Sequence, residues 1–162
     1  MRLISVTTEV LSNYAFISVE MAIINFFNED IRFRLSHKKK IRIWVEKIFR
    51  AEFSKHLTFI NFIFCSDTYL LKINRAYLNK NTLTDVITFN LSEDRQSVEG
   101  EVYISIDRVR ENGIILKIPI QKELYRVIIH GILHLNDYRD DDLKGKKRMQ
   151  RLENKYLKYT NI

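Results

Sequence analysis

Apolar residues fall along this chain in blocks whose spacing switches between the two-residue repeat of a strand and the three-to-four-residue repeat of a helix. Ala22 to Phe27 is a short apolar, β-branched and aromatic run closed by the turn-prone Asn28-Glu29-Asp30, and it predicts a first strand. From Lys39 to Phe53 the positions Ile41, Trp44, Val45, Ile48, Phe49 and Phe53 form an apolar stripe opposite a basic face, the pattern of an amphipathic helix. Thr58 to Cys65 is almost continuously apolar, which predicts a strand covered on both faces. Ser66 or Asp67 then caps a second helix that turns Leu70, Ile73 and Tyr77 inward. Val86 to Leu91 reads as a strand, and Val102, Ile104 and Ile106 alternate with polar neighbours in another. A short helix from about Arg108 stops near Gly113. Pro119 opens the next helix, whose core stripe is Leu124, Ile128, Ile132 and Leu135. A last helix runs from about Asp141 to Tyr159, with acidic residues at its start and Met149, Leu152 and Tyr156 on one face. This order predicts the α+β class: one domain, a mixed sheet packed by helices.

Composition narrows the class further. With 162 residues, 46% hydrophobic and 29% charged, and with four Gly and one Pro, the chain is long enough to bury a core and is neither collagen-like, low-complexity nor intrinsically disordered. No repeat or Gly/Ser linker divides it. Cys65 is the single cysteine, so no intramolecular disulfide is expected, and it reads as a small buried hydrophobe. Thr7, Thr8 and Glu9 interrupt the apolar residues at the amino terminus before they reach signal-peptide length, and no run approaches the roughly 20 apolar residues that span a bilayer. A soluble cytoplasmic protein is expected. The net charge of +7 fits a polyanion, either nucleic acid or a membrane surface.

Candidate chemistry is concentrated near the end of the helix that Pro119 opens. His130 and His134 are four residues apart, so both imidazoles leave one helical face and can share a metal ion. Asp140 follows after the turn-prone Asn136-Asp137, which lets the chain fold back and bring a carboxylate to the pair. Two His and one carboxylate leave a fourth, open position on a tetrahedral zinc ion for water. Gly131 occupies the place where zinc peptidases carry their general-base Glu, which excludes that pattern. Glu123, two turns before His130 on the same face, is a candidate hydrogen-bonding partner for it.

These residues also carry a resemblance. His130-Gly131-Ile132-Leu133-His134-Leu135-Asn136-Asp137-Tyr138-Arg139-Asp140 resembles the YbeY family signature His-Gly-x-Leu-His-Leu-x-Gly-Tyr-Asp-His. Asn74 to Phe89, with Tyr77 and Thr84-Asp85-Val86-Ile87-Thr88-Phe89, is similar to that family's Asn-x-x-Tyr-Arg-x-x-Asp-x-Pro-Thr-Asp-Val-Leu-Ser-Phe block, and Gly100-Glu101-Val102 to its Gly-Asp-Ile strand. The resemblance implies a zinc-dependent, single-strand-specific endoribonuclease acting in 16S rRNA 3′-end maturation and ribosome quality control in the bacterial cytoplasm. Single-stranded rRNA and the ribosome or its small subunit are the implied partners. One zinc ion would sit on His130, His134 and Asp140, and His130 would be catalytic, acting with the zinc on the attacking water.

The departures from the family pattern are specific. Asp140 stands in place of the third histidine, Asp137 in place of the glycine, Leu78 in place of the second block's Arg, and Asn81 and Leu83 in place of its Asp and Pro. With that Arg absent, Arg75, Lys80 and Arg126 are the candidate RNA contacts. Two basic blocks, Arg32 to Arg42 and Lys144 to Arg151, would add phosphate attraction. The alternative is a non-catalytic ribosome-assembly or RNA-binding factor with a structural zinc, and a third class is a zinc hydrolase of another phosphoester or amide. The resemblance begins close to Met21, a candidate natural start, which divides the chain into an extension, 1–20, and a YbeY-like domain, 21–160.

Overall fold

The computed structural model describes residues 22–160, so the expectations for the extension at 1–20 and for Met21 lie outside the described residues. Four strands form one sheet: β1 (Ile23–Asn28), β2 (His56–Cys65), β3 (Val86–Asn90) and β4 (Ser97–Ser105). Their order is β1-β2-β4-β3; β2 runs parallel to β1 and β4, and β3 is antiparallel to β4. Five helices complete the domain: α1 (Lys38–Glu52), α2 (Asp67–Leu78), α3 (Ile106–Leu116), α4 (Ile120–Leu135) and α5 (Leu143–Leu157). This is the α+β mixed sheet that the apolar spacing predicts. Among the described residues no helix is long and apolar enough to cross a membrane.

The main core lies on one face of the sheet. Ile60, Phe62 and Phe64 of β2 and Val98, Val102 and Ile104 of β4 meet Trp44 and Ile48 of α1 and Ile128 and Ile132 of α4 there. On the opposite face Cys65, Ile87 and Leu70 form a smaller cluster under α2. That division is why the apolar run of β2 is continuous: alternate residues enter different cores. Burial, assisted by the carboxylates of Asp30, Asp107 and Asp67, pushes the Cys65 thiol up to about 12, as suits a packed hydrophobe. Helix α4 is the most enclosed element, with apolar residues buried on nearly every side rather than along one stripe. Gly131 allows this approach, because a Cβ there would stand 2.6 Å from Val102 Cγ1.

Three details depart from the periodicity. Ile106 opens α3 instead of extending a strand, because the hydroxyl of Ser105 accepts from the backbone N–H of Arg108 and caps a helix at that point. Gly113 lies inside α3, packed near Ile118 and Ile120, and the helix ends instead on Lys117 in the left-handed region, φ 55°. Tyr77 is 69% exposed, and the inner position of that turn belongs to Asn74, whose amide donates to the Thr82 carbonyl. An apolar side chain at a helical spacing says which face it shares, and a polar one with a backbone partner can take the buried place.

Candidate metal centre

The last two turns of α4 present His130 and His134, and the chain then reverses through Asn136 and Asp137. Asp137 adopts φ 65°, the left-handed conformation in which the family pattern places glycine and which Asp tolerates. Its N–H donates to the His134 carbonyl, and the N–H of Tyr138 donates to the Leu133 carbonyl, so the helix end is satisfied while the chain turns back. The return brings Asp140 to 3.9 Å from the Nε2 atoms of both His130 and His134. One potential ligand atom from each of the three residues lies within 4.8 Å of the others.

The imidazoles are held from behind. His134 Nδ1 donates to the Tyr138 carbonyl at 2.9 Å, and His130 Nδ1 donates to Glu153 Oε1 at 2.7 Å. With each Nδ1 facing an acceptor, the two Nε2 atoms converge to 2.9 Å and are the ring nitrogens left to take up a ligand. Burial, followed by the neighbouring His130, holds His134 below its ordinary value, which favours the neutral ring that metals bind. Two convergent nitrogen lone pairs with an adjacent carboxylate fit a divalent cation of the zinc type by donor number and chemistry.

The support around this group comes from α1 and α5. Tyr138 packs its ring edge on Phe53 at 5.9 Å, donates its hydroxyl to Glu52 Oε1 at 3.1 Å, and lies under the Arg148 guanidinium at 4.3 Å. Those contacts fix the backbone whose carbonyl orients His134. On the other side Arg126 pairs with buried Glu123, lies 3.5 Å from Glu153 Oε2 and 4.0 Å from Asp85.

The partner expected for His130, Glu123, is therefore engaged elsewhere, and Glu153 takes its place. Seven residues at about 1.5 Å each separate Glu123 from His130 by roughly 10 Å along α4, too far for a side-chain hydrogen bond. Glu153 had a sequence signal of its own: it is a carboxylate on the buried side of α5, between Met149 and Tyr156. Arg126 is linked to the histidines through Glu153, with about a quarter of its side chain exposed. Arg75 and Lys80 lie exposed at the end of α2, where Arg75 Nε donates to Asn81 Oδ1 at 2.7 Å, and neither contacts the His pair. Leu78 is 46% exposed.

A mixed sheet carrying a central helix whose end brings together two His and an Asp defines a class of α+β proteins with a helix-borne group that could hold a metal ion. The family model "Endoribonuclease YbeY" matches residues 24–161, and the chain belongs to the YbeY family. It is 46% identical over 134 residues to the endoribonuclease YbeY of Amoebophilus asiaticus, covering 83% of this chain and 90% of that protein. To the endoribonuclease YbeY of Cytophaga hutchinsonii it is 42% identical over 132 residues, with 82% and 92% covered. The solution structure of TM1509 from Thermotoga maritima is similar with a TM-score of 0.58 and 29% identity, over 84% of this chain and 87% of that one.

Proposed function

We propose that this protein is a zinc-dependent, single-strand-specific endoribonuclease that hydrolyses phosphodiester bonds in rRNA. The observation that carries this reading is the pair of Nε2 atoms 2.9 Å apart, each freed by a hydrogen bond at its own Nδ1, with Asp140 alongside. His130, His134 and Asp140 would hold the ion. Bound there, zinc supplies two things that phosphodiester hydrolysis needs: a water acidified towards neutral pH and a Lewis acid for a phosphate oxygen.

The chain's own residues account for the rest. His130 and His134, braced by Glu153 and the Tyr138 carbonyl, present fixed nitrogen donors, and Asp140 offsets part of the cation's charge. Arg75, Lys80 and the exposed part of Arg126 are assigned to RNA phosphates in place of the arginine that Leu78 replaces. The acting unit is assigned to residues 21–160. Membership in a family of endoribonucleases, together with the +7 net charge, supports an RNA substrate over a membrane surface. On the same grounds the reading extends to 16S rRNA 3′-end maturation and ribosome quality control in the cytoplasm, with the small subunit as partner.

A structural zinc in a non-catalytic assembly factor would be closed by four protein ligands, and among the described residues the group contains three. Purified wild type, His130→Ala and His134→Ala, analysed for metal and assayed on a single-stranded RNA, test the proposal. Wild type is expected to carry one equivalent of zinc and to cleave, and each variant to lose both. One equivalent retained by either variant would sink the ligand assignment, and cleavage by metal-stripped wild type would sink the mechanism.

A further inference from the structure

Glu153 is a buried carboxylate on α5 that meets its surroundings in two directions. Oε1 accepts the His130 Nδ1 proton at 2.7 Å, and Oε2 faces the Arg126 guanidinium at 3.5 Å. Only 7% of its side chain is exposed, so neither oxygen relies mainly on bulk water. Arg126 is itself oriented by Glu123, whose side chain is fully enclosed one turn earlier on the same helix, through a bond from Nε at 2.8 Å and a second from Nη2. The order Glu123, Arg126, Glu153, His130 is thus a continuous chain of charge-assisted hydrogen bonds and ion pairs joining α4 to α5.

We propose that Glu153, held by Arg126, is the positioning residue that fixes His130 in the tautomer with a free Nε2 lone pair, and so keeps it competent as a metal ligand. This rests on the metal-site reading above. The physical argument is one of donors and acceptors. Neutral imidazole carries one proton, on Nδ1 or on Nε2, and only the first form can ligate through Nε2. A carboxylate accepts at both oxygens, so it satisfies Arg126 and the Nδ1 proton together.

An amide in the same place cannot do both. With Glu153→Gln the amide oxygen is drawn to Arg126, which can only donate, and the NH2 group is turned towards His130 Nδ1. There it needs an acceptor, which moves the ring proton to Nε2, directly into the ligand position. The substitution preserves volume and shape, so its effect separates tautomer control from packing.

The test measures two things on full-length wild type, Glu153→Gln and Glu153→Asp. The first is the His130 tautomer in the metal-free protein, read from long-range 1H–15N correlations. The second is zinc affinity by competition titration. Wild type should show the proton on Nδ1 and Glu153→Gln the proton on Nε2, with zinc affinity about 10–100-fold weaker, the usual cost of losing such a partner. Glu153→Asp should keep the Nδ1 proton.

If Glu153→Gln leaves the tautomer and the zinc affinity of wild type unchanged, the proposal is overturned. If wild type binds no zinc while the tautomer still switches in Glu153→Gln, the metal reading fails and the control of the ring by Glu153 stands. A fall in zinc affinity with no change of tautomer would assign Glu153 a packing role and overturn the proposal as well. Should Glu153→Gln fail to fold, Glu153→Met, of similar length and with no acceptor for the Nδ1 proton, decides: wild-type tautomer and zinc affinity retained in it overturn the proposal, and loss of both supports it.

Discussion

Asp140 stands where the family signature quoted above has a histidine, and in the proposed site it is the third ligand. A carboxylate is a good zinc ligand, and unlike a third imidazole it brings a negative charge, so the loaded site is one unit less positive. Asp140→Ala should lower zinc affinity by about 100-fold or more, since it removes one of three donors, whereas Asp140→His should retain one equivalent; metal titration of the two variants checks both. That the His pair and Asp140 come together was legible in the sequence because helical spacing is a rigid ruler and a turn with two helix breakers is short. The partner of His130 was not, because it comes from a helix 23 residues downstream, and only the packing of α5 on α4 selects Glu153 over Glu123. Periodicity assigns residues to faces of their own helix and is silent on which face of another helix they meet.

The elements themselves were largely readable, and the misplaced boundaries share a cause. At Ser105 and Lys117 the ends of α3 are set by a side-chain cap and a left-handed residue, and the apolar pattern that flanks them continues across both. The same local control operates at the start of α5, where Asp142 Oδ1 accepts from the N–H of Gly145 at 2.6 Å. A Cβ at Gly145 would stand 2.3 Å from the Arg139 carbonyl oxygen, a backbone atom that cannot swing aside. Arg139 immediately precedes Asp140, so any added side chain has to displace the loop that delivers the third donor. Gly145→Ala is therefore expected to destabilise the protein by about 1–3 kcal/mol, the usual range for overpacking, and to weaken zinc binding several-fold while His130 and His134 stay in place. Denaturant titration and metal titration read the two effects separately. Unchanged zinc affinity would show that the loop relaxes without moving the carboxylate.

On the scale of the whole molecule, Glu52 ties the end of α1 to α5 and to the loop that carries the site. Tyr156 donates to it at 2.6 Å, Lys155 at 3.0 Å and Tyr138 at 3.1 Å. Burial alone would raise its carboxyl, and these hydrogen bonds outweigh that and hold it below the ordinary 4.5. A carboxyl lowered in the folded state contributes stability that is present above its unfolded value and is lost as the pH falls through the folded one. The melting temperature of the metal-free protein should accordingly fall below about pH 4.5, and by less in Glu52→Gln than in wild type. The same anchoring separates the two basic blocks. Helix α1 is 15 residues long, so at about 1.5 Å per residue its lysine-rich start lies roughly 20 Å from the Glu52 end that touches Tyr138. That is more than twice the screening length of about 8 Å at physiological ionic strength. Helix α5, in contrast, starts beside the Asp140 loop and carries Lys146 and Lys147, both exposed. For a short single-stranded RNA engaged at the metal centre, the α5 block should set the salt dependence. Each phosphate contact on a single strand contributes about 0.7 to the slope of log affinity against log salt. Removing the charges of Lys146 and Lys147 together should lower the slope by about 1.4, and removing those of Lys38 and Lys39 should leave it unchanged, with zinc content constant in both. An equal loss from the α1 pair would mean that the RNA runs along α1 and that the +7 acts as one continuous surface.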